Sequence, residues 1–198
     1  AVLTGVGAVV NTARVPAGSA VAVVGLGGVG LNSLLGAGLV GARQIIAVDV
    51  HDEKLDLARR LGATTVVNAR EDGAAARVKD LTEGGVDFAF EMAGSVRALD
   101  LAYRMTRRGG TTVTAGLPPP DQAWPAPAVN LVAEERTVRG SYVGSSVPLR
   151  DVPRYIELYQ RGKLPIDKLM GKTLQPSEIN SAFDRLASGL VARQVIIL

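Results

Sequence analysis

The stretch from residue 21 to residue 49 constrains the fold more than any other part of this 198-residue chain. It begins with four apolar residues and continues through a glycine-rich turn into a segment of small and apolar residues. A second apolar run follows and closes on Asp49. The turn reads Gly25-Leu26-Gly27-Gly28-Val29-Gly30. A strand, a glycine turn, a helix, a second strand and an acidic residue, in this order, are typical of a dinucleotide-binding βαβ unit.

Each glycine of the turn has a predicted task in such a unit. Gly25 lets the chain turn sharply off the strand, and Gly27 leaves room for a pyrophosphate to approach the backbone. Gly30 lets the helix lie close to the strands. The first N–H groups of the helix would face the pyrophosphate with a partial positive charge. Asp49 follows about 20 residues later, where a carboxylate accepts hydrogen bonds from a ribose diol.

A methyltransferase also places a glycine loop after its first strand and an acidic residue after its second. In that class an acidic residue normally precedes the first glycine, whereas Val24 occupies the position here. The dinucleotide interpretation is therefore favoured over the methyltransferase interpretation.

Composition and charge exclude several classes of protein. Hydrophobic residues make up 47% and charged residues 21%, which is ordinary for a globular protein. The apolar runs are too short to cross a bilayer, and the first residues lack the basic region of a signal peptide. The chain has no cysteine, so neither disulfides nor thiolate sites are expected. We expect no membrane partner and a cytoplasmic location.

The net charge of +3 does not indicate nucleic-acid binding. The arginines are scattered along the chain, and aromatic residues, at 4%, do not interleave with them. Nucleic-acid binding needs a coherent basic face, and the sequence shows none. Arginines on the solvated surface of an α/β domain are the simpler interpretation.

Strand and helix patterns alternate through the rest of the chain. Further strands are predicted over residues 65–67, 86–90, 111–114 and 137–143, and helices over 52–61, 72–82 and 95–105. With the first unit, these predict an α/β fold of Rossmann type. Its doubly wound six-stranded parallel sheet would be followed by an additional C-terminal helical and strand segment.

Local signals predict where several of these elements begin and end. Asp52 and Ser95 are expected to cap the helices that they open, and Gly62 is expected to end the first of these helices. Residues 117–127 are rich in proline and are predicted to form neither a helix nor a central strand.

The two ends of the chain lie outside this alternation. Residues 1–17 are predicted as a leading helix and turn, 18–143 as the dinucleotide-binding domain, and 144–198 as a C-terminal segment. That segment is expected to hold a helix over 152–160 with Pro153 in its first turn, an amphipathic helix over 176–186 and a strand over 194–198. Because the chain starts inside an apolar helix, we expect further residues upstream, and we expect the C-terminal segment to pack onto another unit.

Several motifs, taken in order, resemble the medium-chain, zinc-dependent alcohol dehydrogenases, and the resemblance runs from residue 1 to residue 198. They are Thr4-Gly5-Val6-Gly7-Ala8, the glycine turn, Val48-Asp49, Gly84-Gly85-Val86-Asp87, Glu91-Met92-Ala93-Gly94, Ala115-Gly116-Leu117-Pro118, Glu178-Ile179-Asn180-Ser181-Ala182-Phe183 and residues 193–198. The resemblance implies a coenzyme-binding domain with a C-terminal return toward a catalytic domain. In this family the N-terminal catalytic domain carries the zinc ligands, and no part of this chain matches it.

The resemblance also implies the residues that would hold NAD, and it assigns no catalytic or metal-binding residue to this chain. The pyrophosphate would lie on Gly25, Gly27, Gly28, Gly30 and Arg193. The adenosine ribose would bind Asp49 and Lys54. Val50 and the Glu91 to Gly94 segment, which includes Met92 and Ala93, would flank the adenine side. The nicotinamide end would lie against Val29 and Thr4, and along the backbone of Ala115, Gly116, Leu117, Ser141 and Val143. Ser95 stands where some members have an arginine beside the adenine.

Some of these residues have simpler interpretations. Without the resemblance, Arg193 and Lys54 would be read as surface side chains and Val29 as helix core. Asp49 differs from them, because a carboxylate that ends an apolar parallel strand faces the ligand crevice. His51, the only histidine, lies two residues beyond Asp49 at the adenosine end, so we read it as a surface or ribose-proximal residue and not as a catalytic one.

Three functions remain open from the sequence. The first is an NAD-dependent alcohol dehydrogenase that acts on a small alcohol or aldehyde, with zinc only in the full-length protein. With no cysteine and a single histidine, this chain cannot build a tetrahedral zinc site, so it is expected to bind NAD without turning over alcohol. The others are a zinc-free enone or quinone reductase that uses NADPH, and an NAD-sensing module without chemistry. Residues 131–143 resemble the part through which the dimers of this family join their sheets, so the resemblance implies a homodimer.

Overall fold

A computed structural model describes residues 1–171, 173–187 and 193–197 of the chain. Its centre is a six-stranded sheet in which every neighbouring pair of strands is parallel. The strands are β1 (Ala20–Val24), β2 (Gln44–Asp49), β3 (Thr65–Asn68), β4 (Val86–Glu91), β5 (Thr106–Thr114) and β6 (Thr137–Gly140). Their spatial order is β3-β2-β1-β4-β5-β6. This is the doubly wound order of the Rossmann fold, so the predicted fold class is confirmed.

Eight α-helices connect and flank the strands in the described part of the chain. They are α1 (Val2–Gly7), α2 (Gly28–Leu39), α3 (Asp52–Arg60), α4 (Ala74–Leu81), α5 (Val96–Met105), α6 (Ala128–Ala133), α7 (Pro148–Gln160) and α8 (Ile179–Ala187). A π-helical segment, Ala8–Ala13, continues α1, so the predicted leading helix is present. Short 3₁₀ turns occupy Val143–Ser145, Ile166–Leu169 and Pro176–Glu178. Residues 117–127 contain neither helix nor strand, as predicted.

The sheet is buried on both faces, which explains why its strands read as continuous apolar runs. Alternate residues of β1 and β2, such as Val21 and Ile45, pack with α1, α2 and α3 on one face. The residues between them, such as Ala22 and Ile46, pack with α4 and α5 on the other. Two separate apolar cores therefore hold one sheet in place.

Two of the three predicted helix boundaries are confirmed. The Ser95 hydroxyl accepts a hydrogen bond from the Ala98 N–H (3.1 Å) and so caps α5. Gly62 has φ +106° just beyond α3, as a glycine that ends a helix does. The prediction for Asp52 is wrong. It is the first residue of α3, and its carboxylate accepts a hydrogen bond from the Asn68 side-chain amide instead of capping the helix.

The predicted strand over residues 137–143 is too long. β6 ends at Gly140, and Val143 already has a positive φ of +49° in the following 3₁₀ turn. That turn packs directly on α1: a Cβ added at Gly144 would lie 2.1 Å from the Leu3 carbonyl oxygen. The close approach to α1, which joins residues far apart in sequence, ends the strand early.

α7 begins four residues before the predicted start, so Pro153 lies inside the helix and not in its first turn. Pro148 opens the helix, where a missing N–H costs nothing. The buried Asp151 carboxylate accepts a hydrogen bond from the Val147 N–H (2.8 Å), which stabilises the start of the helix at this earlier position. β5 also starts earlier than predicted, and its pairing with β4 is irregular between Val86 and Phe88.

The C-terminal segment contributes α8 and a two-stranded parallel sheet of β7 (Thr173–Leu174) and β8 (Val195–Ile196). The strand predicted over 194–198 is therefore present as two residues, with residue 198 outside the described part. Of the four apolar residues predicted on one face of α8, Ala182 is buried, whereas Ile179, Phe183 and Leu186 are exposed. Across residues 1–171, 173–187 and 193–197, no helix has the length and apolar character needed to cross a membrane.

Candidate functional site

The carboxyl ends of β1, β2, β4 and β5 meet along one edge of the sheet. From β1 the chain passes to β2 on one side, while β4 pairs with β1 on the other. In open α/β sheets, ligands bind in the crevice at such a reversal of strand order. The candidate site is therefore built from the turns that follow these four strands.

The glycine turn between β1 and α2 is shaped by close backbone contacts. Gly25 has φ +91°, and a Cβ at this position would lie 2.7 Å from the Cβ of Ala93. A Cβ at Gly30 would lie 1.8 Å from the Gly25 carbonyl oxygen, so Gly30 packs against the turn itself. Gly27 differs, because a Cβ there would meet nothing within 4 Å. The side of the turn at Gly27 is open.

The helix that follows the turn starts without a side-chain cap. Gly27 is its N-terminal flanking residue, and the Leu31 N–H donates to the Gly27 carbonyl (2.9 Å) to close the first helical turn. The amides of Gly28, Val29 and Gly30 precede this bond and have no acceptor within the helix. Together they form an N-terminus suited to an anion.

Asp49 lies at the end of β2 with 6% of its surface exposed. Its Oδ2 accepts a hydrogen bond from the Leu26 N–H (2.7 Å), and its Oδ1 accepts one from the His51 N–H (3.0 Å). Lys54 Nζ lies 3.9 Å from Oδ2. The carboxylate and the glycine turn, which the sequence places at the two lips of one crevice, are thus in direct contact.

A cleft of about 740 Å³ opens beside Asp49. Of the residues predicted to hold NAD, Gly25, Asp49, Val50 and Ala93 line this cleft. Arg70, Arg97, Arg104 and Trp124 line it as well, and no sequence pattern marks them as site residues. The Trp124 ring packs edge-on against Tyr103, with ring centroids 5.2 Å apart. The arginines that look scattered in the sequence therefore include three on one cleft.

Apart from Lys54 and the rest of the glycine turn, which are described above, the other predicted contacts form two groups outside this cleft. Met92 and residues 115–117 follow β4 and β5. The Met92 N–H donates to the Val24 carbonyl (2.8 Å), and the Ala115 N–H donates to the Glu91 carbonyl (3.0 Å). These bonds hold the ends of the strands side by side, close to the glycine turn.

The second group lies along α1 and the π-helical segment that continues it. The backbone N–H of Ser141 donates to the Thr114 carbonyl, and its hydroxyl lies 2.8 Å from the Thr12 hydroxyl. A Cβ at Gly144, the residue after Val143, would lie 2.8 Å from the Thr4 carbonyl oxygen. Arg193 is within electrostatic reach of Ala1, at the start of α1.

Glu91 opens the Glu91-Met92-Ala93-Gly94 motif, but no sequence pattern gives its side chain a role of its own. It is 1% exposed at the end of β4, and its carboxylate accepts hydrogen bonds from Ala93, Gly94 and Thr114. The available signal is the one that marks Asp49: an acidic residue that closes an otherwise apolar parallel strand.

Zinc does not fit the residues of this chain. Within the described residues, no group of three or more His, Cys, Asp or Glu side chains could hold a metal ion. The whole sequence has one histidine and no cysteine, whereas zinc sites in proteins use mostly these two residue types.

The strand order, the glycine turn after β1 and the carboxylate at the end of β2 define a Rossmann-type α/β domain. A family model described as zinc-binding dehydrogenase matches residues 28–161. The chain therefore belongs to the zinc-binding dehydrogenase family.

Similar proteins are named as alcohol dehydrogenases. Alcohol dehydrogenase 1 of Pisum sativum is 37% identical over 198 residues, which is 98% of this chain and 52% of the relative. Alcohol dehydrogenase class-P of Arabidopsis thaliana is 36% identical with the same coverage. The chain thus spans about half the length of the curated relatives it matches.

Solved structures of the family share the fold closely. Benzyl alcohol dehydrogenase from Acinetobacter calcoaceticus aligns with a TM-score of 0.95 and 35% identity over 98% of this chain and 54% of its own. An alcohol dehydrogenase zinc-binding domain protein from Burkholderia ambifaria aligns with a TM-score of 0.95 and 33% identity. The alignment covers 100% of this chain and 53% of that protein.

Proposed function

We propose that this chain is the coenzyme-binding portion of an NAD-dependent, zinc-type alcohol dehydrogenase. The observation that carries the proposal is the contact between Asp49 and the glycine turn. It brings a carboxylate suited to ribose hydroxyls and helix amides suited to phosphate to the same crevice. The two curated relatives reported above are both named alcohol dehydrogenases, which supports the same activity.

The residues at the crevice fit NAD in size and chemistry. The cleft beside Asp49 has room for an adenosine, since ligand pockets commonly measure about 300–1,000 Å³. The open side of Gly27 and the amides of Gly28, Val29 and Gly30 would receive the pyrophosphate. The group around Thr4, Ser141 and Val143 would then receive the nicotinamide end.

Bound NAD would supply the chemistry of the reaction by accepting a hydride from an alcohol or, as NADH, by returning one to an aldehyde. The residues of this chain would bind and orient the coenzyme. Asp49 would select NAD over NADP, because a 2′-phosphate would meet its negative charge at close range. Zinc does not fit these residues, so we assign it no place in this chain. The 198-residue chain is expected to bind NAD without oxidising alcohol.

Isothermal titration of the 198-residue chain with NAD and with NADP tests the proposal. We expect NAD to bind and NADP to bind at least tenfold more weakly. No heat of binding with either coenzyme would contradict the proposal, and tighter binding of NADP would favour a zinc-free reductase. An absorbance assay of nicotinamide reduction completes the test, since alcohol turnover by this chain alone would show that its residues suffice for catalysis.

A homodimer is part of the proposal. β6 is an edge strand, and an edge strand offers unpaired backbone groups to another chain. Val129 and Val132 on the preceding α6 are exposed, with 82% of Val132 accessible. A second copy that pairs along β6 would satisfy the strand edge and cover these side chains.

A further inference from the structure

Glu91 has an unusual environment for a carboxylate. Only 1% of the residue is exposed, and both of its oxygens are hydrogen-bonded. Oε1 accepts from the backbone N–H groups of Ala93 (2.8 Å) and Gly94 (2.6 Å). Oε2 accepts from the Thr114 hydroxyl (2.7 Å). One carboxylate therefore binds the turn after β4 with one oxygen and the end of β5 with the other.

The structure around this carboxylate is tightly constrained. A Cβ added at Gly116 would lie 2.3 Å from the Gly94 Cα and 2.7 Å from Glu91 Oε2. The turns after β4 and β5 thus contact each other with no space for a side chain between them. Burying a charge is costly unless it is well hydrogen-bonded, so these three bonds are needed to keep Glu91 in place.

The same turns contact the rest of the crevice. Ala93 lies against Gly25, the first residue of the glycine turn, and also lines the cleft beside Asp49. On the other side, Ala115 follows Thr114 directly and donates its N–H to the Glu91 carbonyl (3.0 Å). Glu91 thus lies between the wall of the adenosine cleft and the segment at the opposite end of the crevice.

We propose that Glu91 is a positioning residue that sets the distance between the two halves of the coenzyme site. Oε1 holds the adenosine wall through Ala93 and Gly94. Oε2 holds residues 115–117, the nicotinamide wall, through Thr114. The inference rests on the proposed function, because it assumes that these walls receive the two ends of NAD.

The alternative is that Glu91 serves folding alone. A folding role predicts that any change near the carboxylate lowers stability and affects all ligands equally. The positioning role predicts different effects on ligands that use one wall or both. ADP-ribose is the probe for this difference, because it has the adenosine and pyrophosphate of NAD but no nicotinamide.

The experiment is titration calorimetry of NAD and ADP-ribose, at a temperature where thermal unfolding shows each variant folded. Glu91→Ala removes both anchors, so we expect both ligands to bind on the order of tenfold more weakly. Thr114→Val removes only the Oε2 anchor. This variant should weaken the binding of NAD by roughly fivefold and the binding of ADP-ribose by less than about twofold.

Two conservative variants serve as controls. Thr114→Ser keeps the hydroxyl and should bind both ligands like the unchanged chain. Glu91→Gln keeps an acceptor for Ala93 and Gly94, and its amide can donate to Thr114, so it should recover most of the affinity that Glu91→Ala loses. If Glu91→Ala does not fold, the Thr114→Val and Thr114→Ser pair still decides the question.

The possible failures are distinguishable. If the unchanged chain binds neither ligand, the proposed function fails and the inference fails with it. If the unchanged chain binds NAD, and Glu91→Ala binds both ligands as tightly as the unchanged chain does, the proposed function stands and the inference is overturned. Equal weakening of NAD and ADP-ribose by Thr114→Val also overturns it, because that result is what a folding role predicts.

Discussion

The Asp49 carboxylate accepts a hydrogen bond from the backbone N–H of Leu26, with 2.7 Å between Oδ2 and N. Leu26 follows the first glycine of the turn after β1, and Asp49 ends β2. The bond therefore joins the two elements to which the proposed function assigns the pyrophosphate and the ribose. It also holds the carboxylate in one orientation before any ligand arrives, which lowers the entropic cost of binding.

Asp49→Asn should weaken NAD binding by roughly 10- to 100-fold. The amide has one acceptor oxygen where the carboxylate has two, so either the Leu26 or the His51 N–H loses its acceptor. The charge that strengthens bonds to the ribose hydroxyls is also lost, at a cost of about 1.5–3 kcal/mol. The preference for NAD over NADP should shrink in the same variant, because the repulsion of a 2′-phosphate is gone. Titration calorimetry with both coenzymes measures the two effects.

Asp56→Asn is the matched control for this charge change. Asp56 lies on the exposed face of α3, where it pairs with Arg59. The variant should bind NAD as the unchanged chain does. Equal losses of NAD affinity in Asp49→Asn and Asp56→Asn would show that net charge, and not the Asp49 contact, determines the affinity.

Two substitutions in the glycine turn should separate stability from binding. Gly30→Ala places a Cβ against the Gly25 carbonyl and should lower the free energy of unfolding by about 1–3 kcal/mol. Gly27→Ala meets open space, so its stability should change by less than about 0.5 kcal/mol, while NAD binding weakens because the Cβ occupies the path of the pyrophosphate.

Urea unfolding and calorimetry on both variants check this prediction. Gly38→Ala is the control within the same helix, because Gly38 is exposed and a Cβ there meets only ordinary contacts. Gly38→Ala should raise the free energy of unfolding by up to about 1 kcal/mol without affecting NAD binding. Unchanged NAD affinity in Gly27→Ala would argue against a pyrophosphate at this turn.

Asp151 should make the chain sensitive to acid. The Arg150 guanidinium donates two hydrogen bonds to the buried Asp151 (2.8 and 2.9 Å) and lowers the pKa of this carboxyl below its usual value, while burial acts in the opposite direction. Because the folded pKa is lowered, the stabilising effect is complete above the unfolded pKa of about 3.9. It is lost as the pH falls through the folded pKa.

Unfolding in urea at pH 5 and pH 3 measures this effect. The unchanged chain should lose more stability between these values than Asp151→Asn, which has no carboxyl to protonate at this position. Asp151→Asn should already be less stable at pH 5, because it leaves Arg150 without its carboxylate. An equal loss of stability between pH 5 and pH 3 in both proteins would contradict the role assigned to the Asp151 carboxylate.

Val132→Glu should disrupt the proposed dimer. A charge on the exposed face of α6 would be buried without a partner if a second copy covers this face. Leu81→Glu is the control, because Leu81 ends α4, which packs beside β3 at the opposite edge of the sheet. Light scattering should show a dimer for the unchanged chain and for Leu81→Glu, and a monomer for Val132→Glu. A monomer in all three would contradict a dimer at β6.

The sequence predicts most of the sheet because its signals are local. The apolar runs ending at Val24 and Asp49, and the glycines between them, dictate strand, turn and helix with little help from the rest of the chain. Ser95 and Gly62 likewise act within one turn of their helices. For the same reason the glycine turn and Asp49 were recognisable as one candidate site.

The errors lie where single contacts, and not periodic patterns, decide the structure. β6 ends early because Gly144 packs on Leu3, more than 100 residues away in sequence. α7 begins early because the Asp151 carboxylate accepts a hydrogen bond from the Val147 N–H, four residues before it. Neither contact has a periodic signature. The motif that contains Glu91 is visible in the sequence, but the contact of its side chain is not. Its partner Thr114 lies on another strand, and only the folded sheet brings the two together.

The crystal structure of this chain with NAD tests the central claim most directly. We predict that the adenosine ribose hydroxyls bind the Asp49 carboxylate and that the pyrophosphate lies on the amides of Gly28, Val29 and Gly30. An empty crevice at saturating NAD, or NAD bound away from both Asp49 and the glycine turn, would contradict the account.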